Sequence, residues 1–216
     1  MERIILSDCL LKLFGSELYL NLKEADMKII GFVGSPRKKG NTTTIVNEVL
    51  RGARDAGAET KIFDLNALHI RGCQACYKCQ TPDGKCVQKD DMAQLYDEIF
   101  SADAVVLGTP VFMFQVTGQT KIFVDRLFAL LYLKDAQTTD FGNKLRAKKA
   151  VTVYSQGQPD VNAFASSFDL HEGVLKFLGF DVRQRIVGGG MKTEDTAGGN
   201  KAIMEKAYAA GAALLT

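Results

Sequence analysis

Lys28-Ile29-Ile30-Gly31-Phe32-Val33-Gly34-Ser35-Pro36-Arg37-Lys38-Lys39-Gly40-Asn41-Thr42-Thr43-Thr44-Ile45-Val46-Asn47-Glu48-Val49-Leu50 decides how this chain folds. Its first six residues are the Ile/Phe/Val-rich run of a strand buried on both faces. A turn marked by Gly and Pro follows, and beyond it Ile45, Val46, Val49 and Leu50 stand at helical spacing. Strand, tight turn and helix in that order open a βαβ unit. The turn also gathers donors. The hydroxyls of Ser35, Thr42 and Thr43, the amides freed at a helix start near Gly40 and Asn41, the helix dipole and the cation Arg37 would converge on an anion such as a phosphate. The plainer alternative is a polar turn capped by Asn41 or Thr42. No Gly-Lys-Ser/Thr follows, so the lysine-on-triphosphate arrangement of nucleotide hydrolases is missing.

The same alternation repeats to the end of the chain. Strands are expected at 28–33, 60–65, 104–108, 149–154 and 181–187, and helices at 41–56, 91–100, 119–133, 163–177 and 200–215. Five parallel strands joined by helical crossovers fit an α/β three-layer sandwich with the doubly wound, flavodoxin-like order 2-1-3-4-5, whose ligands sit beyond the carboxyl ends of the strands. Two more loops fall there. Thr109-Pro110-Val111-Phe112-Met113-Phe114 follows the third strand and offers apolar and aromatic walls for a flat ring; otherwise it simply covers the core. Ser155-Gln156-Gly157-Gln158 follows the fourth and can reach the ring edge through Gly157. The run Gly188-Gly189-Gly190 reads as a flexible connection to the last helix.

A chain of 216 residues, 46% hydrophobic, 24% charged and with net charge +2, suits one α/β domain and carries no basic field that would call for nucleic acid. No apolar run approaches the roughly 20 residues of a membrane span, and no secretory signal is recognisable, so a cytoplasmic location is expected. Residues 1–26 precede the first strand and are expected to be an extension: an oligomer arm, or upstream sequence with Met27 the natural start. In a reducing compartment the cysteines Cys73, Cys76, Cys79 and Cys86 are better read as metal ligands or redox thiols than as disulfides. Cys9 stands apart and reads as a small apolar residue. Spacings of two, two and six residues place three thiols on one short loop and a fourth just beyond Gly84, an arrangement suited to one [4Fe–4S] cube. A zinc site prefers two well-separated Cys-x2-Cys pairs, and free redox thiols stay open as an alternative. Neither His69 nor His171 is assigned a role.

Four groups of residues carry a resemblance to a known family: Gly34-Ser35-Pro36-Arg37 with Gly40-Asn41-Thr42, Gly72-Cys73 through Asp90-Asp91-Met92, Pro110-Val111-Phe112, and Thr120-Lys121 to Asp125-Arg126. From about Met27 to the last helix the chain resembles the NADPH-dependent FMN reductase-like group of flavodoxin-like proteins and, within it, the iron–sulfur flavoproteins. The resemblance implies FMN, with its phosphate at Ser35, Arg37, Asn41, Thr42 and Thr43 and its ring near Pro110, Val111, Phe112, Met113, Phe114, Ser155, Gln156 and Gly157. It also implies a homodimer or homotetramer. The cysteine spacing looks like that of the iron–sulfur flavoproteins. An FMN-dependent oxidoreductase would take electrons from NAD(P)H or ferredoxin and pass them to a small molecule or a redox protein, with no catalytic acid–base residue required. The rivals are a non-enzymatic electron carrier and a cluster-free flavin or quinone reductase.

Overall fold

The structure, a computed structural model, describes residues 27–135, 140–145, 147–194 and 196–216. Residues 1–26, the expected extension with Cys9, lie outside the described residues.

Strands β1 (Lys28–Val33), β2 (Glu59–Asp64), β3 (Ala104–Phe112), β7 (Lys148–Ser155) and β8 (Phe180–Gly188) form a parallel sheet of order β2-β1-β3-β7-β8. That is the doubly wound order expected from the sequence. Strand side chains alternate between two cores because successive residues face opposite sides of the sheet. Ile30, Phe32, Val105 and Leu107 join one cluster with α2 (Met92–Ser101), α3 (Gly118–Arg126) and α4 (Ala165–Phe177). Ile29, Val33, Val106, Val151 and Val153 join the other with α1 (Asn41–Asp55) and α5 (Lys201–Ala212). Each fully buried Ile, Leu or Phe contributes roughly 1.5–3 kcal/mol of transfer free energy. The α1–α5 seam is tight: a Cβ on Gly211 would stand 1.8 Å from the Val49 carbonyl oxygen, so only glycine lets the two backbones approach.

The structure corrects the sequence reading in two places. Strand β3 does not stop at residue 108. It continues to Phe112 and turns through Met113-Phe114 into β4 (Gln115–Val116), an antiparallel partner in which Val111 faces Val116. The helix expected over 119–133 ends at Arg126; a 3-10 turn, Leu127–Leu130, leads into β5 (Leu131–Leu133), which pairs antiparallel with β6 (Phe141–Asn143). Apolar residues 127–133 fit either period, and Leu127, Leu130 and Leu131 are buried whichever conformation holds them. Tertiary pairing decided the matter.

Candidate functional site

Beyond the carboxyl ends of β1, β3 and β7 lies a cleft of about 310 Å3 lined by Ser35, Arg37, Gly40, Asn41, Thr42, Pro110, Val111, Phe112, Ser155, Gln156 and Gly157, together with Met191 and Lys192. Three loops that the sequence placed at strand ends therefore do converge. The convergence is bonded as well as spatial, since Thr42 Oγ1 and Ser155 Oγ are 2.7 Å apart in the interior, joining residues 113 positions apart.

One wall of this cleft suits an anion. Helix α1 starts at Gly40 with no side chain capping it and no acidic residue in its first turn, which leaves the positive end of the helix dipole facing the cleft. Arg37 stands at the mouth, and its N–H donates to Ser35 Oγ at 3.1 Å, which fixes the turn. Beneath the turn, Thr117 Oγ1 donates to the Gly34 carbonyl at 2.6 Å, and a Cβ on Gly34 would stand 1.8 Å from Thr120 Oγ1. Glycine is required there for α3 to support the loop.

Two expected phosphate residues behave differently. Asn41 lines the cleft, but its amide is engaged: Nδ2 donates to the Thr193 carbonyl and Oδ1 accepts the Ala197 N–H at 2.8 Å. Its role is to tie the turn to residues 193–197. Thr43 lines a separate hollow with Lys38, Asn47, Ile62 and Asp64, and donates to the Arg37 carbonyl at 3.4 Å.

The opposite wall, Pro110, Val111 and Phe112, suits a flat apolar group, whereas Met113 and Phe114 of the same loop stand outside the cleft lining. Phe112, Met113 and Phe114 are all exposed, Met113 at 88%. Met113 (φ 46°) and Phe114 (φ 69°) form a two-residue hairpin turn with both residues left-handed, a geometry that favours Asn-Gly. Bulky residues there cost roughly 1 kcal/mol each, partly offset by an edge-to-face contact of Phe114 with Phe164 at 5.5 Å. Strain of this kind persists where a site needs the side chains. Changing Met113 to Asn together with Phe114 to Gly should raise ligand-free stability by about 1 kcal/mol and weaken binding of an aromatic ligand in the cleft. Urea melts and ligand titration of the double variant test both halves; a loss of stability would show that the turn is not strained.

Met191 and Lys192 were not anticipated. The glycine run before them does not behave as a free connector: Gly188 ends β8, the Met191 N–H donates to the Gln156 carbonyl at 2.8 Å, and the Gly190 N–H donates to the Gln158 carbonyl at 2.9 Å. The pairing carries Met191 into the cleft wall. Gln156 spends its amide N–H groups on Gln158 and Asp160 carbonyls, leaving its buried Oε1 without a partner. A dipole-rich anion wall and an apolar wall in one cleft fit a phosphate-ended flavin.

The cysteine loop lies between the 3-10 turn Leu65–Ala67 and α2. Cys73 and Cys76 are exposed, while Cys79 and Cys86 are half-buried. Ala75 (φ 49°) and Tyr77 (φ 58°) are left-handed, so the chain turns sharply between successive cysteines. Among the described residues no group of three or more His, Cys, Asp or Glu lies close enough together to hold a metal ion. A four-iron cube needs its thiolates farther apart than one ion does, and the donor set of four thiols on one short loop suits it chemically.

The loop is anchored by charges that sequence reading did not assign. Arg126, 2% exposed, pairs with Asp90 through Nη1 at 2.6 Å and Nη2 at 3.1 Å, and donates to the Arg71 carbonyl at 2.8 Å and to Cys86 Sγ at 3.3 Å. Burial alone would raise the Asp90 carboxyl, but the Arg126 hydrogen bonds and the N–H groups of Arg71 and Met92 hold it below its usual range. Lys144, just after β6, donates to the carbonyls of Cys79, Gly84 and Ala129. A cavity of about 610 Å3 beside this loop is lined by Cys86, Tyr96, Phe100 and Lys144 among others; it is larger than the cleft but lacks the strand-end convergence. Asp90 and Arg126 belong to two motifs quoted from the sequence, yet only the fold shows that they meet.

The chain is similar to known proteins along most of its described length. The family described as NADPH-dependent FMN reductase matches residues 27–168. An iron–sulfur flavoprotein of Methanocaldococcus jannaschii is 40% identical over 105 residues, which is 49% of this chain and 52% of that protein. An iron–sulfur flavoprotein of Archaeoglobus fulgidus is 38% identical over 101 residues, 47% of this chain and 46% of that one. The chain thus spans about half the length of the curated relatives it matches. Among solved structures, an NAD(P)H:quinone oxidoreductase from Methanothermobacter marburgensis superposes with a TM-score of 0.68 at 17% identity, covering 88% of this chain and 100% of that one. An FMN-dependent NADH-azoreductase from Bacillus anthracis, in complex with FMN, gives 0.66 at 12% identity over 88% and 99%. These two likenesses bear on the fold alone.

Proposed function

Because the chain belongs to the NADPH-dependent FMN reductase family, we propose that it is an FMN-dependent oxidoreductase of the iron–sulfur flavoprotein type, taking electrons from NAD(P)H or ferredoxin and passing them to a small molecule or a redox protein. The observation that carries this is the cleft itself, where an uncapped helix start and Arg37 share one hollow with Pro110, Val111 and the exposed ring of Phe112. FMN, when bound, supplies two-electron redox chemistry, and a cluster on Cys73, Cys76, Cys79 and Cys86 would supply one-electron transfer.

The chain's own residues hold and shape. Arg37, the Ser35 and Thr42 hydroxyls and the α1 amides would bind the phosphate; Pro110, Val111 and Phe112 with Ser155, Gln156 and Gly157 would flank the ring. Thr43 fits the phosphate role less well, since it faces another hollow, and Asn41 serves by positioning. Met113 and Phe114, exposed beyond Phe112 and outside the cleft lining, fit the ring role less well. The four-cysteine loop favours a reducing, cytoplasmic setting. Among the described residues no helix is long and apolar enough to cross a membrane. A homodimer or homotetramer completes the reading by family resemblance.

Anaerobic purification followed by flavin, iron and sulfide assays on one sample tests both cofactors. Bound FMN that bleaches on adding NADPH or NADH supports the reductase; reduction by ferredoxin alone supports the electron carrier. Arg37 to Ala is expected to weaken FMN binding about tenfold, the worth of one charge-assisted hydrogen bond. Protein that stays colourless and takes up no added FMN would end the proposal.

A further inference from the structure

We propose that Lys144 is a positioning residue for the cysteine loop and the counter-charge of an anionic centre held there. The proposal rests on the cluster reading above and adds a residue that the flavin cleft does not use. Lys144 Nζ donates to the carbonyls of Cys79 at 2.6 Å, Gly84 at 2.7 Å and Ala129 at 3.0 Å. An ammonium has three N–H groups, and all three are spent on neutral oxygens. Two of those oxygens bracket the turn between Cys79 and Gly84, so one cation fixes the segment that carries the third cysteine and leads to the fourth.

Two cations, Arg126 and Lys144, reach this loop from outside it, and their charge balance differs. Arg126 is neutralised by Asp90 at 2.6 Å. Lys144, half-buried, has three carbonyl partners and forms no ion pair with a carboxylate among the described residues; Asp83 acts on it only through space. Holding a partly desolvated charge against dipoles is costly unless an anion completes the site. Four thiolates outweigh the positive charge of an iron–sulfide core, so the assembled centre is anionic and becomes more so when it gains an electron. A cation beside Cys79 and the cavity wall of Cys86 favours the reduced form over the oxidised one.

The test compares full-length wild type with Lys144→Met and Lys144→Arg, each reconstituted anaerobically with iron and sulfide. Iron content, the oxidised-to-reduced ratio of the centre at a fixed solution potential, and hydrogen exchange of the iron-free loop are read on each. Lys144→Met is expected to raise that ratio about tenfold, equivalent to about 59 mV for a one-electron couple. Lys144→Arg, which keeps the charge, should restore it to within about threefold. In the iron-free proteins, amides 80–86 should exchange faster in Lys144→Met than in wild type. A merely structural lysine would change exchange without changing the ratio, and that result overturns the counter-charge. Unchanged exchange overturns the positioning role. Wild type that takes up no iron overturns the cluster reading and the counter-charge with it, while exchange in the iron-free proteins still decides whether Lys144 positions the loop.

Discussion

Asp90→Ala should destabilise the protein by about 3–5 kcal/mol, because it leaves the Arg126 guanidinium buried with its charge uncompensated. Both side chains of the pair are at most 1% exposed, so solvent cannot take over the lost partner. The same carboxylate accepts the N–H groups of Arg71 at 3.0 Å and Met92 at 3.2 Å, which adds two orphaned donors at the base of α2. Asp90→Asn keeps an acceptor but no charge and should cost less. Urea unfolding of both variants measures the difference; a loss below about 1 kcal/mol for alanine would mean that water reaches the pair. The effect should extend to the cysteine loop, since Arg126 links the Arg71 carbonyl to Cys86 Sγ. In acid the contribution of Asp90 is present above the ordinary aspartate range and disappears as pH falls through its lowered pKa.

The second large effect is an acid-sensitive step that belongs to His171. Its ring is buried on α4, Nδ1 lies 2.8 Å from the Tyr154 hydroxyl, and Nε2 has no partner. Burial pushes its pKa down to about 4, against an opposing pull from the Glu172 charge. The folded state therefore holds His171 neutral, while the unfolded chain protonates near 6.5. Stability from this residue is complete above pH 6.5 and is lost as pH falls from there toward 4. The loss amounts to about 2 kcal/mol by pH 5 and about 3 kcal/mol by pH 4. His171→Gln cannot titrate and should flatten the pH dependence of urea midpoints between pH 7.5 and 5. An unchanged slope in that variant would assign the acid sensitivity elsewhere. Glu172, the charge next to it on α4, is tied to Arg185 at 2.7 Å and to Thr152 Oγ1 at 2.7 Å.

Such effects at Asp90 and His171 could not be read from the chain alone. His171 appeared as a residue on a helix face without a role, because nothing in its neighbours along the chain reveals that Tyr154, seventeen positions away, closes over it. Asp90 and Arg126 each stood in a recognisable motif, but their meeting depends on α3 packing beside the loop. Met191 and Lys192 were missed for a similar reason. A glycine run signals freedom of the backbone, and it took the pairing of Gly190 and Met191 with residues 156–158 to turn that freedom into a cleft wall.

By itself the sequence determined the alternation of strands and helices, the order of the parallel sheet, the three loops at its carboxyl edge and the grouping of four thiols on one loop. These follow from periodicity and spacing, which are properties of neighbours along the chain. Tertiary structure alone decided that the apolar residues after Arg126 make a 3-10 turn and a hairpin, that Asn41 braces the cleft, and that Lys144 and Arg126 grip the cysteine loop. Those outcomes depend on which distant groups can satisfy a buried charge or hydrogen bond. Local pattern carries no record of a partner that only folding brings near.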